Sequence, residues 1–364
     1  MYQMASTIKI RSNEYMAVNG NKYDILKLLL AILIVAIHST VAGMVFRPVL
    51  RLAVPLFFII SSYLFFLKQS TLSTRKERCH GLRKYAKRIL MLYLFWFVLL
   101  LPCTIYYREW YVDFGPEKLL IIARSFFFGS TFIASWFLMA SLMGVAIVWL
   151  LASWKMRNGW IIGIGAVIYV LCCLVSNYNE ALKGCPQFLE AYQTYVNLFT
   201  LPFNSFPCSI LFIGIGKLLA ERQFAPSGKM LWCVLGVSMV LLYVEFFITQ
   251  HYFKAYYDDC FFMLPVTCTC IFMLIGQSRP CKMNVDTKKL RSYSTVIYCC
   301  HGTILSLGHS LEHLILNGNN GIKAPSAIVP ILLFLIAIAL SVSLAEIIMT
   351  LEHRRHLGWL RYSH

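Results

Sequence analysis

The sequence predicts an all-α, polytopic membrane protein with about ten transmembrane helices. Of its 364 residues, 59% are hydrophobic and only 13% are charged, whereas soluble domains are roughly 45–50% apolar and about 25% charged. The mean hydropathy is +0.67. A helix needs about 20 mostly apolar residues to cross the hydrocarbon layer, and runs such as 231–247 approach that length.

The apolar runs place the predicted spans in order along the chain. Their limits are residues 25–45, 52–67, 88–107, 133–151, 160–176, 206–220, 230–249, 260–277, 294–314 and 327–351. Segment 117–129 mixes apolar and charged residues, which favours an interfacial or re-entrant position. The predicted organisation is a cytoplasmic tail over 1–22, a transmembrane domain over 23–353 and a second cytoplasmic tail over 354–364.

The distribution of Lys and Arg predicts that both ends face the cytoplasm. With the amino terminus inside, 25 of the 33 Lys and Arg residues fall on cytoplasmic tails and loops, which is the bias that sets membrane orientation. This bias also explains the net charge of +17. Nucleic-acid binding is the competing explanation, but no groove-reading motif accompanies the charge.

The first span carries two polar groups at a suggestive spacing. Polar side chains within a bilayer are costly and often functional, and His38 follows Lys27 by eleven residues. Eleven residues make about three helical turns, so both side chains share one face about 16 Å apart along the axis. A cation at the mouth and a base deeper inside would suit an anionic donor with a long arm. The alternative is a structural histidine hydrogen-bonded within the bundle.

Other segments also carry groups suited to chemistry. The run 75–88 is the densest basic segment, and it is either a topology signal or a phosphate-binding surface. A second histidine, His301, lies in the ninth span. Trp136 is typical of an interfacial anchor, and Glu245 and Glu346 are expected to pair with cations or face a cavity. The 13 cysteines show no C-x-x-C spacing, so no metal site is predicted.

Taken together, these segments resemble the acyltransferase-3 family of membrane O-acyltransferases. The matching stretches follow the family's order and lie at 23–38, 51–63, 87–93, 136–138 and 294–301. The first two also resemble the membrane half of serine-racemase-type resistance proteins.

The resemblance implies transfer of an acyl group, usually acetyl, to a hydroxyl of a cell-envelope glycan or sugar precursor at the plasma (inner) membrane. The donor would be cytoplasmic acyl-CoA (acetyl-CoA), a co-substrate, with no tightly bound cofactor. The family's R/K-x10-H motif matches Lys27 and His38. It implies that His38 is the general base and that Lys27 positions the donor. The expected partners are the lipid bilayer, acyl-CoA and the acceptor.

The same resemblance implies further site residues. The donor phosphates would rest on Arg83, Lys84, Lys87 and Arg88. The supporting residues would be Asp24, Arg51, Ser61, Tyr63, Trp136, Tyr298 and His301. His301 could orient His38, stabilise an oxyanion or be structural.

Two positions depart from the family pattern. Its R-x-x-R motif ends here in Met91, and its Ser-Gly-Tyr reads Ser61-Ser62-Tyr63. The first change alters the donor contacts, and the second removes a glycine that allows close backbone approach.

Two other classes of function stay open. A transporter or flippase of an envelope precursor would use Lys27 and His38 to line a conduction path. Broken helices and internal repeats favour that class, and the sequence contains no repeat. A non-catalytic membrane partner in envelope assembly is the third class.

Overall fold

The computed structural model describes residues 21–112, 115–222, 226–255, 257–278, 286–318, 328–355 and 357–364. Within these ranges the chain forms helices joined by turns and short connections, and no strand occurs in them. The predicted all-α class is therefore confirmed. The predicted tail over residues 1–20 lies outside the described residues.

The helices follow one another along the chain with short connections. In the described ranges they are α1 (21–38), α2 (Gly43–Leu50), α3 (Ala53–Ser70), α4 (Arg75–Tyr107), α5 (Pro116–Phe128), α6 (Trp136–Ser153), α7 (Asn158–Asn177), α8 (Pro186–Leu198), α9 (Phe206–Glu221), α10 (Gly228–Tyr252), α11 (Leu264–Gln277), α12 (Thr287–Gly318) and α13 (Ile328–Arg355). Short 3-10 turns lie at Ala181–Gly184, Pro202–Asn204 and Leu360–Tyr362.

Six helical segments of the described chain are long and apolar enough to cross a membrane. One of them, Gly43–Ser70, consists of α2 and α3 taken together as a single segment. The other five are the helices α4, α6, α7, α10 and α13. The segments Pro186–Asn204 and Phe206–Glu221, bent by 41°, make a seventh if they form one span. Helices also occupy the other predicted spans, but α9 and α11 have only 16 and 14 residues. The chain is therefore a multi-pass membrane protein, and the count of ten stays a prediction.

α1 ends at His38, which divides the predicted first span at 25–45. Residues 39–42 form a turn, in which the Ser39 hydroxyl donates to the Ala36 carbonyl at 3.3 Å. Thr40 and Gly43 have φ angles of 57° and 58°, and glycine adopts this left-handed backbone without the steric cost of a side chain. The turn places His38 at the tip of α1.

α4 carries the basic run 75–88 as its first half. Thr74 and Glu77 form a capping box in which each backbone N–H donates to the other's side chain at 3.2 Å. This pairing satisfies N–H groups that a helix start leaves free. The 33 residues of α4 extend about 50 Å, well beyond about 30 Å of hydrocarbon. The basic residues therefore continue the helix past one end of its apolar half.

α3 and α9 pack closely at Gly216. A Cβ on Gly216 would lie 2.7 Å from the carbonyl oxygen of Ile59 and would collide with the Ser62 hydroxyl. Small residues let membrane helices approach in this way. α9 is buried on all sides from Pro207 to Lys217, so it forms the middle of the bundle.

The connection between α5 and α6 turns into the bundle. We call residues 129–135 the inner loop. Thr131 is completely buried and lies 2.8 Å from the Tyr93 hydroxyl of α4. The Ala134 carbonyl accepts a hydrogen bond from the Tyr298 hydroxyl of α12. These contacts enclose part of the loop in protein, which is the condition under which non-helical backbone is tolerated at membrane depth.

Residues 357–364, the carboxyl-terminal segment, pack against α4. The Trp96 indole N–H donates to the Ser363 carbonyl at 3.0 Å, and Leu360 and Ser363 are buried. The ring of Trp359 lies 5.7 Å from that of Phe95. The described part of the predicted tail over 354–364 therefore contacts the bundle.

Candidate functional site

His38 is exposed at the tip of α1, although it lies beside a buried ring. The ring centroids of His38 and His301 are 5.2 Å apart and the ring planes are inclined by 38°. Arg51, in the turn before α3, is a further electrostatic neighbour of His38. The structure therefore brings His38 of α1 beside His301 of α12 and near Arg51.

His301 is completely buried on α12. Its Nδ1 lies 3.1 Å from the Ile297 carbonyl oxygen and 2.8 Å from that of Tyr298. Carbonyl oxygens only accept, so these bonds assign the ring hydrogen to Nδ1. Nε2 is then an unprotonated acceptor, and it has no hydrogen-bond partner among the described residues.

Aromatic side chains surround the histidine pair. Tyr298, one turn before His301, is buried, and its ring lies 5.4 Å from Phe137 and 6.2 Å from Phe57. Its hydroxyl donates to the inner loop at Ala134. Tyr298 therefore holds α12 against the inner loop, and its hydroxyl is already engaged.

A separate group of charges lies near the start of α1. Asp24 is 2.8 Å from an Arg291 guanidinium nitrogen and 3.7 Å from Lys27 Nζ. Arg88 of α4 is an electrostatic neighbour of both Lys27 and Arg291. We call Asp24, Lys27, Arg88 and Arg291 the basic cluster, because three cations meet one carboxylate.

The basic cluster thus contains two residues predicted to contact the donor, Lys27 and Arg88, and one further cation, Arg291, that the sequence did not indicate. Arg291 lies on α12, where only its place shortly before the segment 294–301 hinted at a role. The other predicted donor residues, Arg83, Lys84 and Lys87, are exposed on the first half of α4. No ion pair links these three within the described chain.

The predicted supporting residues fall in two places. Arg51 bridges Asp258 and Asp259, the latter at 2.6 Å, and lines a cavity of about 50 Å³ that Trp136 also lines. Trp136 is half-buried at the start of α6, 6.2 Å from Phe58. It therefore faces the interior near Arg51.

The other predicted residues on α3 lie nearer the basic cluster. Tyr63 is buried, with its ring 6.0 Å from Tyr23 and 5.0 Å from Phe272. Ser61 is half-buried on the same helix. Because Tyr23 immediately precedes Asp24, Tyr63 contributes to the packing that holds the start of α1.

The two intramembrane glutamates have different surroundings. Glu346 lies 3.6 Å from Lys289 and accepts a hydrogen bond from the Tyr293 hydroxyl, so its expected pairing with a cation is confirmed. Glu245 accepts the backbone N–H of Phe262 at 2.8 Å. That bond ties α10 to the start of α11, away from the histidine pair.

Comparison with known proteins places this geometry in a family. The acyltransferase-3 family model, described as "Acyltransferase domain", matches residues 21–349. Two curated proteins from Enterococcus faecalis, each named "Amino-acid racemase", are similar to this chain. One is 22% identical over 92% of this chain and 47% of its own length. The other is 23% identical over 78% of this chain and 40% of its own length.

The chain spans less than half the length of these curated relatives. No solved structure matches it. The family match covers every helix that carries the histidine pair and the basic cluster. The chain therefore belongs to the acyltransferase-3 family of integral membrane acyltransferases.

Proposed function

We propose that this chain is a membrane-bound O-acyltransferase that moves an acetyl group from cytoplasmic acetyl-CoA to a hydroxyl of a cell-envelope glycan or sugar precursor. The observation that carries the proposal lies on α1. That helix holds Lys27 in the basic cluster at one end and the exposed His38 beside His301 at the other. A donor site and a base are thus connected by one rigid element.

The proposal includes ten crossings of the plasma (inner) membrane with both ends in the cytoplasm. Contacts at the two ends of the bundle support it. One end joins segments predicted as cytoplasmic, in the pairs Lys22 with Ser278 and Asn158 with Glu221. The other end joins predicted outside segments, in the pairs Arg51 with Asp259, Arg108 with Ser130, and Arg124 with Asn197. If a span had been miscounted, segments predicted as cytoplasmic would contact segments predicted as outside.

The basic cluster suits the phosphates of the donor. Guanidinium groups bind phosphate oxygens through paired hydrogen bonds, and lysine acts as a point charge. Asp24 balances only one of the three cations that surround it, so positive charge remains for an anion. The exposed Arg83, Lys84 and Lys87 extend this surface along α4.

His38 supplies the base in this proposal. A neutral imidazole takes the proton of the acceptor hydroxyl as the oxygen attacks the thioester carbonyl. The new acyl–oxygen bond forms, the carbon–sulfur bond breaks, and the departing CoA thiolate takes up the proton from the imidazolium. The place of His38 at the exposed tip of α1 supports access by an acceptor.

The test uses the full chain in lipid nanodiscs with acetyl-CoA and a cell-envelope fraction as the acceptor source. Mass spectrometry measures released CoA, which avoids thiol reagents that would also react with the protein's own cysteines. We expect His38→Ala to lower the rate of CoA release about 10²- to 10⁴-fold, which is the usual contribution of a general base.

His251→Ala is the matched control, because His251 is exposed at the end of α10. It should release CoA at the wild-type rate. Full activity in His38→Ala would overturn the proposal. Translocation of an envelope precursor without CoA release would instead favour a transporter.

A further inference from the structure

We propose that His301 is a positioning residue whose Nε2 accepts the ring N–H of His38 and so fixes which nitrogen of His38 faces the acceptor. This inference rests on the proposed function, since it gives His38 the role of the base. It chooses among three roles that the sequence left open for His301.

The hydrogen bonds of Nδ1 decide the tautomer. Both partners, the carbonyls of Ile297 and Tyr298, accept hydrogen bonds and belong to the preceding turn of α12. A neutral ring with its hydrogen on Nδ1 has a lone pair on Nε2. Such an atom cannot donate to an oxyanion, so the geometry disfavours the oxyanion role.

A purely structural role leaves Nε2 unexplained. This nitrogen is buried and has no partner in the described part of the chain, and buried acceptors in native proteins are normally satisfied. The nearby Tyr298 hydroxyl already donates to Ala134. The Cys300 thiol is engaged in the same way, because it donates to the Ser341 hydroxyl of α13 at 3.1 Å.

His38 is the polar ring in reach of Nε2. Two imidazoles joined by an N–H···N bond of about 2.9 Å have centroids about 5 Å apart, because each nitrogen lies about 1 Å from its centroid. The observed separation of 5.2 Å matches this arrangement. With the rings already at this separation and inclined by 38°, we expect a rotation of the His38 ring about its χ2 angle to complete the bond.

The consequence is a defined base. With one nitrogen of His38 donating to His301, the other carries the lone pair and points away, toward the exposed side of the tip of α1. A hydrogen-bond acceptor behind a catalytic imidazole fixes its tautomer and orientation in this way.

The test compares side chains that keep or lose an acceptor at the Nε2 position. The amide of Gln reaches the position of Nε2, whereas that of Asn reaches only the position of Nδ1. We expect His301→Asn to lower kcat for CoA release about 10- to 100-fold with the KM for acetyl-CoA unchanged. We expect His301→Gln to recover most of that loss. His309→Asn, an exposed histidine on the same helix that pairs with Glu312, is the control and should match the wild type.

Wild-type kcat in His301→Asn, or an equal loss in the Gln and Asn variants of folded protein, overturns the inference. A second measurement does not need activity. In ¹⁵N-histidine-labelled protein, solid-state NMR should show His301 with an unprotonated Nε2 and one tautomer for His38. A protonated His301 Nε2 would also overturn it. If the wild type released no CoA, the proposed function would fail, and the NMR result would still decide the pairing.

Discussion

Asp24 is the carboxylate around which the basic cluster is built. Its side chain is only 4% exposed, and it contacts Lys27 from its own helix and Arg291 from α12. A buried carboxylate is normally paired, but here the cations outnumber it. The cluster therefore joins α1 to α12 and keeps an excess of positive charge for a ligand.

The excess charge predicts the effect of removing Arg291. We expect Arg291→Gln to raise the KM for acetyl-CoA about tenfold, which corresponds to the loss of about 1.4 kcal/mol of charge-assisted binding. The kcat should stay near the wild-type value, because Arg291 lies at the donor end of α1 and not at His38. Steady-state kinetics of CoA release measure both constants.

Lys289→Gln is the matched control for this change. Lys289 lies on the same helix, but its partner is Glu346. Its replacement should leave the KM for acetyl-CoA unaltered. A common rise in KM for both variants would mean that overall charge, not the basic cluster, holds the donor.

At the scale of single residues, the sequence predicted the relation between residues that lie on the same helix. Lys27 and His38 lie eleven residues apart on α1, so helical geometry alone relates them. Arg291 was missed because its place beside Asp24 depends on how α12 packs against α1. The lone pair of His301 Nε2 was equally hidden, since it follows from bonds that exist only in the folded helix.

Among the helices, the contact of α3 with α9 shows how a departure from the family pattern is accommodated. The resemblance implies a glycine at the position of Ser62, whose hydroxyl donates to the Phe58 carbonyl at 2.7 Å. Gly216 lies opposite on α9, where any side chain would collide with Ser62. The glycine that permits close approach is thus supplied by the partner helix.

This contact predicts a loss of stability on enlarging Gly216. We expect Gly216→Ala to lower the thermal midpoint of the purified protein, because overpacking costs about 1–3 kcal/mol. Ser62→Gly should not restore it, since the new Cβ would still lie 2.7 Å from the Ile59 carbonyl oxygen. Thermal unfolding in nanodiscs measures both variants.

Gly236→Ala on α10 is the control for helix propensity. A Cβ at Gly236 meets nothing within 4 Å, and alanine favours helix over glycine by about 1 kcal/mol. Its midpoint should be unchanged or slightly raised. Equal midpoints for the Gly216 and Gly236 variants would contradict the tight crossing.

Helix positions were more predictable than helix ends. Apolar runs located α4, α6, α7, α10 and α13, because burying backbone in lipid requires long helices. The end of α1 at His38 was not predicted, since a polar turn between two apolar stretches resembles a continuous run. The predicted span from 133 began three residues too early, because α6 begins only at Trp136.

Across the whole molecule, the two ends of the bundle differ in their charge. The end proposed as cytoplasmic carries the basic cluster and the first half of α4, whereas the opposite end carries Arg51 with Asp258 and Asp259. A cytoplasmic donor would therefore meet positive charge first. This arrangement makes the orientation of the chain a condition of the proposed function.

Native cysteines can test that orientation. Cys185 is exposed just before α8, and Cys79 is half-buried near the start of α4. We expect a membrane-impermeant maleimide to label Cys185 in intact spheroplasts and to label Cys79 only after permeabilisation. Mass spectrometry of the labelled peptides identifies each site.

Cys185→Ser should abolish the outside label and leave the inside label in place. Labelling of Cys79 from outside would show that the orientation is inverted.

The number of crossings was predictable only in part. Short helices such as α11, with 14 residues, cannot be counted from length and composition alone.

The carboxyl-terminal segment also bears on how the chain acquires its final form. Ser363 is completely buried, and its carbonyl accepts the indole N–H of Trp96 on α4. The ribosome makes α4 long before it makes residues 357–364. During synthesis, Trp96 therefore lacks this partner until residues 357–364 emerge from the ribosome.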